Sequence, residues 1–121
     1  MDNEEAVLAL AALAQPTRLN AFRILASHEP EGLSAGELAR ALEVPQNTLS
    51  AHLSILSRAD LVTSERHSRS IIYRANLAEF QKVALFLLQD CCGGRPEVCA
   101  PLIESLAPCC PPKKKRERSR V

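Results

Sequence analysis

All five cysteines of this 121-residue chain fall after residue 90, as Cys91, Cys92, Cys99, Cys109 and Cys110. Thiolates are soft ligands and strong nucleophiles, so their spacing limits the chemistry open to this cluster. The chain starts acidic (Asp2, Glu4, Glu5), which argues against a secretory signal and points to the cytoplasm. There, with an odd cysteine count, a disulfide scaffold is not expected. Neither zinc-finger nor Cys-x-x-Cys spacing is present, and Val98 occupies the sixth place after Cys92, where a phosphate loop of the Cys-x5-Arg type needs arginine. No His stands near the cluster to serve as a base or a fourth zinc ligand. What remains is a sulfur-only site. Cys91 and Cys92 close an apolar stretch, Gly93-Gly94 permit a reversal, and Cys99 can swing back toward the pair. Three thiolates suit a thiophilic ion of three-fold sulfur coordination, As(III) or Sb(III), rather than zinc. Cys109-Cys110, between Pro108 and Pro111, are either an accessory thiol pair or inert.

A site at the far end of a chain must act on something, and the stretch Leu33–Ala59 supplies it. Two helical segments there are separated by a break at Glu43-Val44-Pro45, a helix-turn-helix pattern. Ser34 with Glu37 three residues on is a capping box that opens the first helix. In the second, Leu49, Leu53 and Leu56 recur at i, i+4 and i+7, one stripe to bury. The opposite face carries Asn47, Ser50, Ala51, Ser54 and Arg58. Small and amide or hydroxyl side chains of this kind can lie flush in a DNA major groove and reach base edges and phosphates. The competing reading is an ordinary surface helix with a short polar face.

The surroundings favour the DNA reading. After Asp60 the period changes, and Leu61–Arg66 and Ser70–Ala75 read as a hairpin with its tip at His67-Ser68-Arg69. A helix-turn-helix followed by a basic hairpin is a winged helix. Arg58, Arg66, Arg69 and Arg74 gather here, and Arg66 and Arg69 on the wing can lie along phosphates or in the adjacent minor groove, against the alternative of solvated hairpin charge. Pro111–Val121 holds six Lys/Arg and one Glu, which leaves nine basic and 13 acidic residues before it. That tail is a solvated basic segment or a weak, sequence-independent attraction to DNA.

Upstream, Asn3–Ala14 is an apolar helix (Val7, Leu8, Leu10, Ala11, Leu13) richer in Ala and Leu than one buried stripe requires. Gln15-Pro16-Thr17 breaks it, and Pro16 can open a second helix that buries Leu19, Phe22, Leu25 and Ala26. Downstream, Leu77–Cys92 is a last helix whose apolar residues, from Val83 to Leu88, wrap nearly all round. A domain this small cannot cover such a helix alone, so it is expected to pack, with the first helix, against a second subunit; an intramolecular core helix is the alternative. Two-fold symmetry would set two reading helices in successive major grooves, ~34 Å apart. The expected fold is therefore mainly α, a homodimeric winged helix-turn-helix with a two-stranded wing. Its DNA-binding and dimerisation domain spans 3–92, and a Cys-containing, Pro-rich basic tail spans 93–121. With 46% hydrophobic and 3% aromatic residues, one helical core and no membrane span are expected.

With those residues in place, the chain resembles the ArsR/SmtB family of metal- and metalloid-sensing repressors over roughly Asn3–Cys99. The resemblance rests on LAQPTRL from Leu13 to Leu19, QNTLSAHL from Gln46 to Leu53, ADLV from Ala59 to Val62, and IYR from Ile72 to Arg74. It implies a homodimer that binds a double-stranded operator without ligand and releases it when ligand binds. It also implies DNA contacts from Gln46, Thr48, Ser50 and His52, with a phosphate-only or core-edge place for His52 as the equal alternative. Two departures narrow the ligand. The Cys-x-Cys-x-x-Cys run of well-known arsenic sensors is replaced by Ser34, Gly36 and Ala39, and Leu77–Gln89 lacks the His and Asp ligands of zinc sensors. The Cys91-Cys92 pair followed by Cys99 instead resembles the subgroup that senses As(III) at the C-terminus, and sensors of methylated trivalent arsenicals use cysteines in this region too.

The expected activity is As(III)-responsive repression, with no enzymatic step and no organic cofactor. Two rivals stand beside it: a thiol redox-responsive DNA-binding repressor, and a thiol metalloid carrier that binds no DNA.

Overall fold

The computed structural model describes residues Met1–Leu88. The chain divides into units Met1–Phe86 and Leu87–Val121, and the first carries the fold described here. Its order is α1 (Asn3–Leu13), α2 (Pro16–Ser27), β1 (Leu33–Ser34), α3 (Ala35–Leu42), α4 (Gln46–Arg58), β2 (Val62–His67), β3 (Ser70–Ala75) and α5 (Leu77–Leu88).

Helices α1, α2 and α3 each start where the sequence provides a side-chain acceptor for an orphan backbone N–H group. Asp2 and Glu5 form a capping box on α1, as Ser34 and Glu37 do on α3. Gln15 accepts from the Arg18 N–H at the head of α2, with Pro16 in its first turn. Helix α1 ends at Leu13, with Ala14 as its cap, one residue earlier than the sequence pattern suggests.

The core is a set of leucines with small partners. Leu25, Leu38, Leu49, Leu53, Leu56 and Leu61 are fully buried, together with Val83 of α5. The expected stripe Leu49, Leu53 and Leu56 is therefore the inner face of α4. One burial expectation requires correction. Leu19 is exposed, and Ala21 fills the inner position of α2 beside Phe22 and Leu25. In α1 the buried residues are Ala6, Ala9 and Ala12, whose small side chains permit close approach to α2 and α4, while Val7 and Leu8 lie outside.

The wing differs from expectation in two ways. The strands run Val62–His67 and Ser70–Ala75, so the tip is only Ser68-Arg69. Ser68 holds φ 60°, the left-handed value that a two-residue hairpin loop requires at its first position. The sheet also has three strands in the order β1-β3-β2, because Leu33 pairs with Tyr73 and Ser34 with Ile72. This ties the wing to the start of the helix-turn-helix. Gly32, at φ 77°, is what lets the chain enter β1. A Cβ there would stand 2.5 Å from the Tyr73 carbonyl oxygen and 2.7 Å from Arg74 Cγ.

Helix α5 leaves the sheet through Asn76, whose backbone N–H donates to the Leu61 carbonyl and whose side-chain amide donates to the Asp60 carbonyl. Phe80 packs at 5.6 Å between ring centroids against Phe22 of α2. Of α5 only Val83 is buried, so the apolar residues around it are not covered by the described residues. No described helix is long and apolar enough to cross a membrane.

Candidate nucleic-acid interface

Helix α4 sorts its 13 residues cleanly. The three leucines turn inward, while Gln46, Asn47, Thr48, Ser50, Ala51, Ser54 and Arg58 are all exposed. No acidic residue lies on the helix. Pro45 is its N-cap and offers no side-chain acceptor, so the amides of the first turn remain free for an outside one. A helix start of this kind favours an anion such as a DNA phosphate. Ser50 donates its hydroxyl proton to the Gln46 carbonyl at 3.0 Å, so toward a ligand it acts as an acceptor.

His52 sits differently from its neighbours. It is half-buried, and its Nδ1 lies 3.3 Å from Arg18 Nη1 of α2. Of the exposed positions expected to meet DNA, the structure thus groups seven on one surface of α4 and sets His52 at its edge.

Arg66 near the end of β2 and Arg69 at the hairpin tip are both exposed. A cleft of about 370 Å³ separates α3 and the start of α4 from the wing, lined among others by Gln46, Ser50, Arg69, Ser70 and Tyr73. Reading-helix and wing residues therefore share one concave surface, the arrangement expected if both grip one duplex. Gly36 forms part of its floor; an added Cβ would meet Gln46 Oε1 at 3.6 Å and Arg40 Nη1 at 3.7 Å. Arg40 was not singled out from the sequence. Its signal was present, a cation in the last turn of α3 next to the helix break.

Arg74 does not join this positive set. Its guanidinium is bound to Glu29, and that partner holds its protonated form more firmly than usual. On the wing, Glu65 accepts from His67 at 3.0 Å, a contact that lowers the Glu65 carboxyl below its ordinary range.

The thiol candidates Cys91, Cys92, Cys99, Cys109 and Cys110 lie outside the described residues. Among the described residues no group of three His, Cys, Asp or Glu side chains could hold a metal ion. Ser34, Gly36 and Ala39 are fully accounted for by the cap, the cleft floor and the core.

Comparisons with known proteins agree with this geometry. A family model described as a helix-turn-helix domain matches residues 13–65. The HTH-type transcriptional repressor SmtB of Mycobacterium tuberculosis is 42% identical over 65 residues, which is 54% of this chain and 46% of that relative. The chain spans about half the length of the curated relatives it matches. Among solved structures, an ArsR-like transcriptional regulator from Rhodococcus sp. RHA1 superposes with a TM-score of 0.66 at 31% identity, covering 86% of this chain and 93% of that one. A Mycobacterium bovis protein, described as a homodimeric winged helix-turn-helix DNA-binding domain, shares the fold with a TM-score of 0.60 at 24% identity, covering 70% of this chain and 77% of that one. These relatives are named as regulators, and none as an enzyme. By the coverage and identity of the Rhodococcus structure, and by the order of its own elements, the chain belongs to the ArsR/SmtB family of winged-helix transcriptional regulators.

Proposed function

We propose that the protein is a cytoplasmic, homodimeric repressor that holds operator DNA until As(III) binds its C-terminal thiolates. The observation that carries the DNA part is the face of α4: exposed, free of acids, uncapped at its start, and across a cleft from Arg69 of the wing. Gln46, Asn47 and Thr48 in the first turn would reach base edges and phosphates, with Ser50, Ala51 and Ser54 allowing close approach along the groove. Arg58, Arg66 and Arg69 would neutralise flanking phosphates.

Dimerisation is supported by the apolar surface left on α1 and α5. Val7 is 63% exposed, Leu8 53% and Leu85 68%. Exposed apolar faces on two helices are costly to leave in water and suit a second copy. The second copy would also supply the second reading helix that a palindromic operator needs.

The inducer reading rests on sequence. Cys91, Cys92 and Cys99 follow α5, and their sulfur-only set suits As(III), Sb(III) or a methylated trivalent arsenical. Coordination there would re-set the chain that continues a dimer helix and shift the two α4 helices from their half-site spacing. A coupling of about 1–3 kcal/mol would lower operator affinity roughly 5- to 150-fold. The test is operator binding by the reduced protein, titrated with arsenite, antimonite, zinc and cadmium, and repeated with Cys91→Ser. Release by arsenite that Cys91→Ser abolishes supports the site; undiminished release by the variant rejects it. Release by peroxide, with none by arsenite under a non-thiol reductant, would select the redox-responsive alternative.

A further inference from the structure

Helix α4 is held to the rest of the domain by leucine packing, which is strong but carries little direction. Among the described residues only two side-chain hydrogen bonds involve α4. One is internal, from Ser50 to the Gln46 carbonyl. The other joins Arg18 to His52 and is the only one that leaves the helix for another element. Arg18 is itself bound at a second point, because its Nε donates to the Ala12 carbonyl in the last turn of α1 at 2.6 Å. Its backbone N–H is in turn held by the Gln15 side chain at the corner between α1 and α2. One planar guanidinium, half-buried, thus spans α1 and α4.

We propose that Arg18 is a positioning residue that fixes the reading helix to the dimer helix α1, so that a displacement of α1 is passed to α4 through His52. The inference rests on the DNA reading above for its consequence, though not for the clamp itself. Arg has five N–H donors in a rigid fork and no acceptor, so it can serve both partners at once. For the same reason its contact with His52 requires Nδ1 to be the acceptor. An imidazole that accepts at Nδ1 in this way has its Nε2–H to offer a phosphate. Arg18 therefore sets both the placement of α4 and the chemistry of its edge residue.

The chemistry of the pair also defines which substitutions should matter. Lys has a compact ammonium and cannot span two acceptors in the fixed geometry of the fork. Asn at position 52 keeps an acceptor near the place of Nδ1, whereas Leu keeps bulk and removes the acceptor.

The test is native-state hydrogen exchange of the α4 amides, alongside global unfolding by urea, in Arg18→Lys, His52→Leu and His52→Asn. Exchange of α4 in Arg18→Lys and His52→Leu should accelerate on the order of tenfold, the loss of one charge-assisted bond. The double variant Arg18→Lys with His52→Leu should lose no more than either alone, and His52→Asn should regain protection. Equal protection in His52→Leu and wild type overturns the proposal, as do additive losses in the double variant. A parallel measurement compares Arg18→Lys with wild type for a duplex selected from random sequence and for a scrambled duplex. Failure of the wild-type protein to discriminate the two duplexes would reject the DNA reading while the exchange result still decides the clamp. Where wild type does discriminate, unchanged discrimination by Arg18→Lys overturns the proposal.

Discussion

Arg74 on β3 places Nη2 2.8 Å from Glu29 Oε1 and Nε 3.4 Å from Oε2, a two-point contact between the wing and the loop that follows α2. An arginine already matched to a carboxylate has little charge left for a phosphate. Arg66 and Arg69 have no such partner among the described residues. Arg66→Ala and Arg69→Ala should each reduce the slope of log affinity against log salt by roughly 1 per subunit, if each meets one phosphate. Arg74→Ala should leave that slope near the wild-type value. Salt titrations of DNA binding at several concentrations check this.

Glu37 makes stability depend on acid. The Ser34 backbone N–H, and then the Ser34 hydroxyl, hold its carboxyl below the usual range, with the Arg40 charge adding to the effect. A depressed folded-state value means the contribution is complete above the unfolded value of about 4.3 and is lost as pH falls through the folded value. Glu37→Gln retains an acceptor for Ser34 but does not titrate. Its urea midpoint should therefore fall less steeply than wild type between about pH 5 and about pH 3. Equal slopes would show that Glu37 does not contribute.

Gly32→Ala should destabilise the domain by about 2–4 kcal/mol, combining a left-handed φ with overpacking against backbone. The close approach is to the Tyr73 carbonyl oxygen, part of the strand that carries the wing, and it leaves no room to yield cheaply. Urea unfolding measures the loss. A change below about 0.5 kcal/mol, the scale of an ordinary surface substitution, would show that the loop readjusts.

The same glycine marks what could and could not be read from the sequence. Leu49, Leu53 and Leu56, the Ser34–Glu37 box and the break at Glu43-Val44-Pro45 were legible because helical spacing and capping are local. Glu43 closes α3 at φ 58°, a left-handed cap that a glycine would have announced and a glutamate does not. Strand β1 was not legible: two residues carry no period, and their partners lie near position 72. Nor was the inner face of α1. Hydrophobicity points to Val7 and Leu8, yet close helix contact selects Ala6, Ala9 and Ala12. Arg18–His52 and Arg74–Glu29 join residues 34 and 45 apart in sequence, and only the fold brings them together. The polar face of α4 was the most legible part of the site, because burial of one stripe dictates what the opposite side exposes.

If the apolar surface on α1 and α5 is covered by a second copy, charge placed there must separate the copies. Leu8→Lys combined with Leu85→Lys should convert the protein to a monomer in sedimentation velocity, with its helical circular dichroism retained. Both positions are exposed in one copy, so the substitutions cost the isolated fold little. A dimer that persists in the double variant would place the interface elsewhere.

If α4 reads DNA sequence, the protein must discriminate between duplexes through the exposed face of that helix. The affinity of the reduced protein for a duplex selected from random sequence is compared with that for a scrambled duplex, at one stated salt concentration, for wild type and Asn47→Ala. The expected result is a wild-type preference of at least about 10³-fold, reduced by roughly tenfold or more in Asn47→Ala. Equal affinity for the two duplexes, or a preference that Asn47→Ala leaves intact, would show that this face of α4 does not read sequence.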